Sequence, residues 1–112
     1  MKKIEIIIKA ERYETLKDIL VSKGATGLML TNLMGFGNQN GFTQQYRGVK
    51  TFVQLLPKLK VEVAVKDDLV EPIIKGITEK LSTNEIGDGK IFIYDIEDVI
   101  RIRTGEHGEV AL

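Results

Sequence analysis

Lys58-Leu59-Lys60-Val61-Glu62-Val63-Ala64-Val65-Lys66 runs directly into Asp67-Asp68-Leu69-Val70-Glu71-Pro72-Ile73-Ile74, and the change of period at that junction decides the fold. In the first stretch Leu59, Val61, Val63 and Val65 alternate with Lys58, Lys60, Glu62 and Lys66. A period of two describes a strand with one buried face. In the second stretch Val70, Ile73, Ile74, Ile77 and Leu81 recur at helical spacing, which describes a helix with one apolar stripe. Asp67 or Asp68 can cap that helix. Pro72 is tolerated only in a first turn, which agrees with the same start. Pro57 cannot donate to a ladder, so it marks an edge position or a bulge at the head of the strand.

Working outward, residues 2–9 read as a strand rich in β-branched residues,. Tyr13, Leu16 and Leu20 place a helix over 11–23, stopped by Gly24,. Residues 27–34 return to strand character, a polar run reaches Lys50, and the chain is extended again from Thr51. Beyond the second helix, which Ser82-Thr83-Asn84 ends, a turn at Gly87-Asp88-Gly89 leads into a strand over Lys90–Ile96, and Val99–Arg103 reads as one more short strand. The order is β-α-β-β-α-β. That is the ferredoxin-like α+β pattern, an antiparallel sheet with two helices on one face. We read one domain over 1–112. Ile4, Ile6, Ile7 and Ile8 put apolar groups on both sides of the first strand, so the uncovered sheet face predicts an oligomer,.

The composition narrows the function classes. Sixteen basic residues balance sixteen acidic ones, so general nucleic-acid or anionic-membrane binding lacks the surplus charge it needs. The chain has no cysteine and one histidine, His107, in a glycine-flanked stretch. Disulfides, thiolate catalysis and cysteine or histidine metal sites are excluded, and no acid–base pair stands out, so an enzyme is not expected. No apolar run approaches a membrane span and the N-terminus lacks a signal-peptide pattern, so the expectation is a cytoplasmic protein.

What remains is an anion site. Gly87 and Gly89 allow positive φ, so successive N–H groups of Gly87-Asp88-Gly89 can converge on an anion, with Lys90 next in line,. On a strand Arg101 and Arg103 point to one side and would form a phosphate clamp. The alternative is a solvated pair, or arginines matched to Glu97 and Asp98. Lys58 and Lys60 also share a side. The segment from Gly35 to Lys50 is longer than compact domains usually allow without a function. It carries Phe36, Phe42, Tyr46 and Arg47, residue types that partner interfaces use,. Phe92 and Tyr94 alternate as stacking aromatics would, which opens an RNA-binding reading, but the zero net charge opposes it,.

Gly35-Phe36-Gly37 with Gln39 and Gly41, Tyr46-Arg47-Gly48, Leu56-Pro57-Lys58, Gly87-Asp88-Gly89-Lys90-Ile91-Phe92 and Ile100-Arg101-Ile102-Arg103-Thr104-Gly105-Glu106 together resemble the PII signal-transduction family of nitrogen regulators. The likeness runs without gaps over essentially the whole chain. It implies a homotrimer of ferredoxin-like subunits with ATP/ADP sites in the clefts between them. It implies that Gly35, Gly37, Asn38, Gln39, Gly87, Asp88, Gly89, Lys90, Arg101 and Arg103 surround the nucleotide. Gln39 would help hold Mg²⁺ shared with the phosphates, and Gln39, Gly41, Lys58 and Gly87 would hold 2-oxoglutarate. A long mobile T-loop, about 37–55, would dock through Phe42, Tyr46 and Arg47 on an ammonium channel, another transporter, or a nitrogen-metabolism enzyme or regulator. The chain departs from the family in that loop. Asn38 stands where arginine is common, Val49 where others carry a modifiable serine, and Thr51 where many carry a modifiable tyrosine. The implied switch is therefore worked by ligand alone, without covalent marking. Dropping the response to 2-oxoglutarate leaves an ATP/ADP energy sensor as the alternative.

Overall fold

Alternation in the first strand is what puts a core under two helices. The computed structural model describes residues 1–35, 44–46, 49–51 and 55–112. β1 (Lys2–Ile8) sends Ile4, Ile6 and Ile8 inward at 0–2% exposure. β5 (Leu56–Val65) sends Leu59, Val61, Val63 and Val65 to the same side. The two strands are antiparallel in a register that sets Ile4 opposite Val63, Ile6 opposite Val61 and Ile8 opposite Leu59. β2 (Met29–Gly35) pairs along the other side of β5, and β6 (Lys90–Asp95) along the other side of β1. The sheet order is β2-β5-β1-β6, all antiparallel. β3 (Gln44–Tyr46) and β4 (Val49–Thr51) form a separate two-stranded ladder, with Tyr46 opposite Val49.

Both helices lie on the Ile4 side. α1 (Tyr13–Ser22) buries Leu16, Ile19 and Leu20, and α2 (Val70–Leu81) buries Val70, Ile73, Ile77 and Leu81. The expected stripe of α2 is therefore the buried one, with Ile74 half-buried beside it. Gly76 lets the helices approach closely, since a Cβ there would lie 3.0 Å from Cγ2 of Ile19. Pro57 sits where β5 pairs with β2 alone, ahead of the Leu59 partner of Ile8. On its β1 side that position is an open edge, as a missing donor requires. Gly24 follows α1 with φ +89°, the left-handed stop its position predicts,.

Two expectations are corrected. Neither Asp67 nor Asp68 caps α2 with its side chain. A 3-10 turn, Asp67–Leu69, comes first, so the cap position falls on Leu69, which has no acceptor to offer. Asp67 instead accepts from the Met1 amine at 2.7 Å. Val99–Arg103 is not a strand. Its ladder is one bridge, Ile100 to His107, because the Arg101 carbonyl accepts from Gly105 N–H at 2.7 Å and the chain reverses there. Gly105, at φ +72°, makes that reversal.

The first strand does put apolar groups on both sides of the sheet. Ile4, Ile6 and Ile8 all turn to the helices, and only Ile7 faces away. The open face is laced with charge. Lys60 Nζ lies 3.6 Å from Glu62 and 4.0 Å from Glu5, and Lys3 lies 4.0 Å from Glu62. The Tyr94 hydroxyl donates to Glu5 at 3.3 Å, while Lys3 Nζ stands 4.7 Å from the Tyr94 ring centre. Glu5 and Glu62 keep only 14% and 19% of their side chains exposed. Met29, Phe92 and Tyr94 stand opposite Glu62, Glu5 and Lys3 and stay 40–56% exposed, so this face mixes ion pairs with apolar groups.

Candidate functional site

Register alone brings several predicted residues to one end of the open face. Ile7 is flanked by Lys60 on β5 and by Lys90 on β6. One step further, Lys58 is opposite Leu33, and Gly35 closes β2 opposite Leu56. A Cβ on Gly35 would sit 3.8 Å from Cγ of Lys58, so the lysine stem runs along the loop root. Gly87-Asp88-Gly89 delivers the chain into Lys90 at this same end. Gly35, Lys58, Lys60 and Lys90 therefore form a basic edge around a half-buried Ile7.

The turn before β6 is built for close approach. Gly87 has φ +101° and Gly89 φ +118°, with Asn84 at φ +61° upstream. Backbone of this shape is reserved for glycine, with occasional asparagine. At Gly89 space adds a second reason, since a Cβ would stand 2.1 Å from the Ile7 carbonyl oxygen. The Asp88 carboxylate turns back on the loop. Its Oδ2 accepts from the Thr83 N–H at 2.7 Å and its Oδ1 from the Thr83 hydroxyl at 2.5 Å. These two bonds hold the Asp88 carboxyl below the usual carboxylate range, with Lys9 and Arg12 adding to the effect. An apolar cleft of about 300 Å³ opens beside the turn, between α2 and β6, lined by Ile8, Ile77, Leu81, Gly89 and Ile91.

The arginines are elsewhere. β6 ends at Asp95 opposite Lys2, and Ile96 N–H donates to the Met1 carbonyl at 3.1 Å. The segment carrying Arg101 and Arg103 thus leaves from the opposite end of the sheet to the one that Lys90 enters. Arg101 is already engaged. Its guanidinium donates to Glu106 at 2.9 Å and to the Val110 carbonyl at 2.7 Å. The partner is Glu106, not Glu97 or Asp98. Asp98 holds the base of the hairpin, accepting from Val99 N–H at 2.8 Å and Gly108 N–H at 3.2 Å, with His107 Nδ1 at 2.7 Å. His107 lowers the Asp98 carboxyl first, and the two backbone bonds lower it further. Ile102, at the tip between the arginines, is fully exposed.

The predicted set is therefore divided. Gly35, Lys58 and Gly87–Lys90 are gathered; Arg101 and Arg103 are not with them in one chain. Gly37, Asn38, Gln39, Gly41, Phe42 and Arg47 lie outside the described residues, and Tyr46 is described only as backbone of β3. Sequence reasoning missed Thr83, Glu106 and the Ile7 carbonyl. Thr83 and Glu106 had a readable signal, since each lies five residues from the charged side chain it meets. A backbone carbonyl gives none. The aromatics Phe92 and Tyr94 do face outward, but Glu5 lies opposite Phe92 and accepts from Tyr94. A carboxylate at the centre of the face opposes RNA phosphate. Among the described residues no cluster suits a metal ion and no helix is long and apolar enough to cross a membrane.

The model of the family described as nitrogen regulatory protein P-II matches residues 1–106. The nitrogen regulatory protein P-II of Pasteurella multocida is 49% identical over 112 residues, 100% of both chains. That of Cereibacter sphaeroides is also 49% identical, again over 100% of both. The nitrogen regulatory protein P-II 1 of Escherichia coli strain K12 is 45% identical over the same full length.

Proposed function

The chain belongs to the nitrogen regulatory protein P-II family, and from that premise we propose that it is a trimeric sensor that binds ATP or ADP between subunits and regulates a partner through its T-loop. P-II proteins are regulators in signal transduction rather than enzymes, so binding is the act to explain. The observation that carries the proposal is the Gly87–Gly89 turn leading into Lys90, with Lys58 at the same end of the sheet. Converging N–H groups and a lysine suit phosphate oxygens. The half-buried Ile7, on the same face as Lys60 and Lys90, suits a base or ribose face,.

Arg101 and Arg103 leave from the far end of the sheet, so they complete such a site only when a second copy supplies them. In this reading the arginines of one subunit close the phosphate pocket of its neighbour, and each charged hydrogen bond contributes roughly 1.5–3 kcal/mol. Mg²⁺ would bridge Gln39 and the phosphates, because it prefers oxygen ligands shared with them. Lys58, near Gly35, would meet a carboxylate of 2-oxoglutarate. Ligand at the loop root would bias the loop, and Phe42, Tyr46 and Arg47 would meet a transporter or a nitrogen-metabolism enzyme or regulator.

Titration calorimetry with ATP and ADP, each with and without Mg²⁺ and 2-oxoglutarate, tests this. Micromolar nucleotide binding is expected, strengthened by 2-oxoglutarate only when Mg-ATP is present. Absence of binding by both nucleotides overturns the proposal. The second reading is an ATP/ADP energy sensor, which Asn38 favours because it supplies no cation at a position where arginine is common. Nucleotide binding that ignores 2-oxoglutarate selects that reading.

A further inference from the structure

We propose that Asp88 is a positioning residue: tied to Thr83, its carboxylate sets the shape of the Gly87–Lys90 turn before ligand arrives and does not meet the ligand itself. The inference rests on the reading of this turn as the phosphate site. A carboxylate in the middle of a phosphate-binding turn is a contradiction unless its charge is directed elsewhere. Here both its oxygens are turned back to Thr83, at 2.7 Å to the amide and 2.5 Å to the hydroxyl. Lys9 and Arg12 lie on the same side and act on its charge.

The turn needs such a tie. Between the end of α2 at Leu81 and the start of β6 at Lys90, three residues take positive φ: Asn84 at 61°, Gly87 at 101° and Gly89 at 118°. Such a path gains nothing from local preference and has to be held by its surroundings. At one end Gly89 packs directly against the Ile7 carbonyl, leaving no room for a side chain. The Asp88–Thr83 pair closes the other end. Amides fixed in advance bind an anion without an ordering cost at the moment of binding. The pair thus supports affinity through geometry, from the side of the turn facing away from the ligand.

The test is a double-mutant cycle on the full chain with T83V, D88A and their combination, with D88N as the conservative variant. ATP affinity is read by calorimetry with and without Mg²⁺, and amide hydrogen exchange over 83–90 is read in the ligand-free protein. D88A should weaken ATP about tenfold and T83V about threefold, in line with loss of charge-assisted hydrogen bonds. The combination should be no worse than D88A alone, because neighbours acting through one link are non-additive. D88N should fall between wild type and D88A. Exchange at Gly87–Lys90 should quicken in every variant, most in D88A. The proposal is overturned if T83V binds ATP like wild type while D88A does not, or if the loss in D88A appears only with Mg²⁺, since either result puts the carboxylate on the ligand or its metal. Should the wild type bind no nucleotide, the exchange measurement decides alone, and unchanged protection in D88A overturns the tie.

Discussion

Gly89 shows how far one atom reaches. Its φ of +118° excludes other residues on conformational grounds, and a Cβ would stand 2.1 Å from the Ile7 carbonyl oxygen in the adjoining strand. Two costs therefore add at Gly89→Ala, the strained backbone and the displacement of β1. Gly27, at φ +72° with no atom within 4 Å of such a Cβ, carries only the first. We expect Gly89→Ala to destabilise the fold by about 3 kcal/mol or more, and Gly27→Ala by about 1 kcal/mol, from the usual cost of a left-handed non-glycine residue. Urea unfolding of both variants checks this, and equal losses would refute the role given to Ile7. The glycines of Gly87-Asp88-Gly89 were legible in the sequence as a turn. The reason Gly89 is irreplaceable was not, because it is a backbone oxygen distant along the chain. Sequence patterns report side chains, and a carbonyl is the same at every residue.

The helices and strands were the most legible level, since one buried face imposes its period on each. The stripe Val70, Ile73, Ile77 and Leu81 proved to be the buried side of α2. Ile73 is 0% exposed, so Ile73→Ala should cost about 3 kcal/mol through lost burial and a residual cavity, measured by urea unfolding,. Val21→Ala, on an exposed face of α1, should stay within about 0.5 kcal/mol,. The C-terminal hairpin was misread for a physical reason. Ile100-Arg101-Ile102-Arg103 has the composition of a strand, but a strand also needs a partner, and Gly105 returns the chain after a single bridge. What holds it are side chains, with Asp98 binding His107 and two amides. The Asp98 carboxyl is lowered in the folded chain. Its contribution is therefore present above the ordinary carboxyl value, near pH 4, and is lost as pH falls through the lowered value. The acid step of the Gly108 amide signal in an NMR titration should lie below about pH 4, the ordinary carboxyl value. In His107→Ala the movement should begin at higher pH, because the largest lowering partner is gone. An identical midpoint in both chains would show that His107 does not govern this clasp.

At the scale of the molecule the informative fact is a separation. Lys90 enters β6 at one end of the sheet, and the arginine hairpin leaves from the other, where Lys2 faces Asp95. The sequence suggested Lys90, Arg101 and Arg103 as one site, but linear spacing cannot tell a cluster within one chain from a cluster shared by two. In the proposed trimer, the open face, laced by Lys60 with Glu5 and Glu62, and the exposed Ile102 at the hairpin tip are the parts a second copy would cover. Ile102→Glu should then shift the protein from trimer towards monomer in light scattering and weaken nucleotide binding at the same time. Sharing of the site makes a sharper demand. Lys90→Ala and Arg103→Ala should each impair every site of their own trimers. Unfolded together in equal amounts and reassembled, they should recover ATP binding at about one quarter of the sites, the share expected from random assembly of a ring in which each site takes one half from each neighbour. Calorimetric stoichiometry reads that fraction directly. If the mixture binds no better than either variant alone, the lysine and the arginine act within one chain, and the cleft between subunits is not where the nucleotide sits.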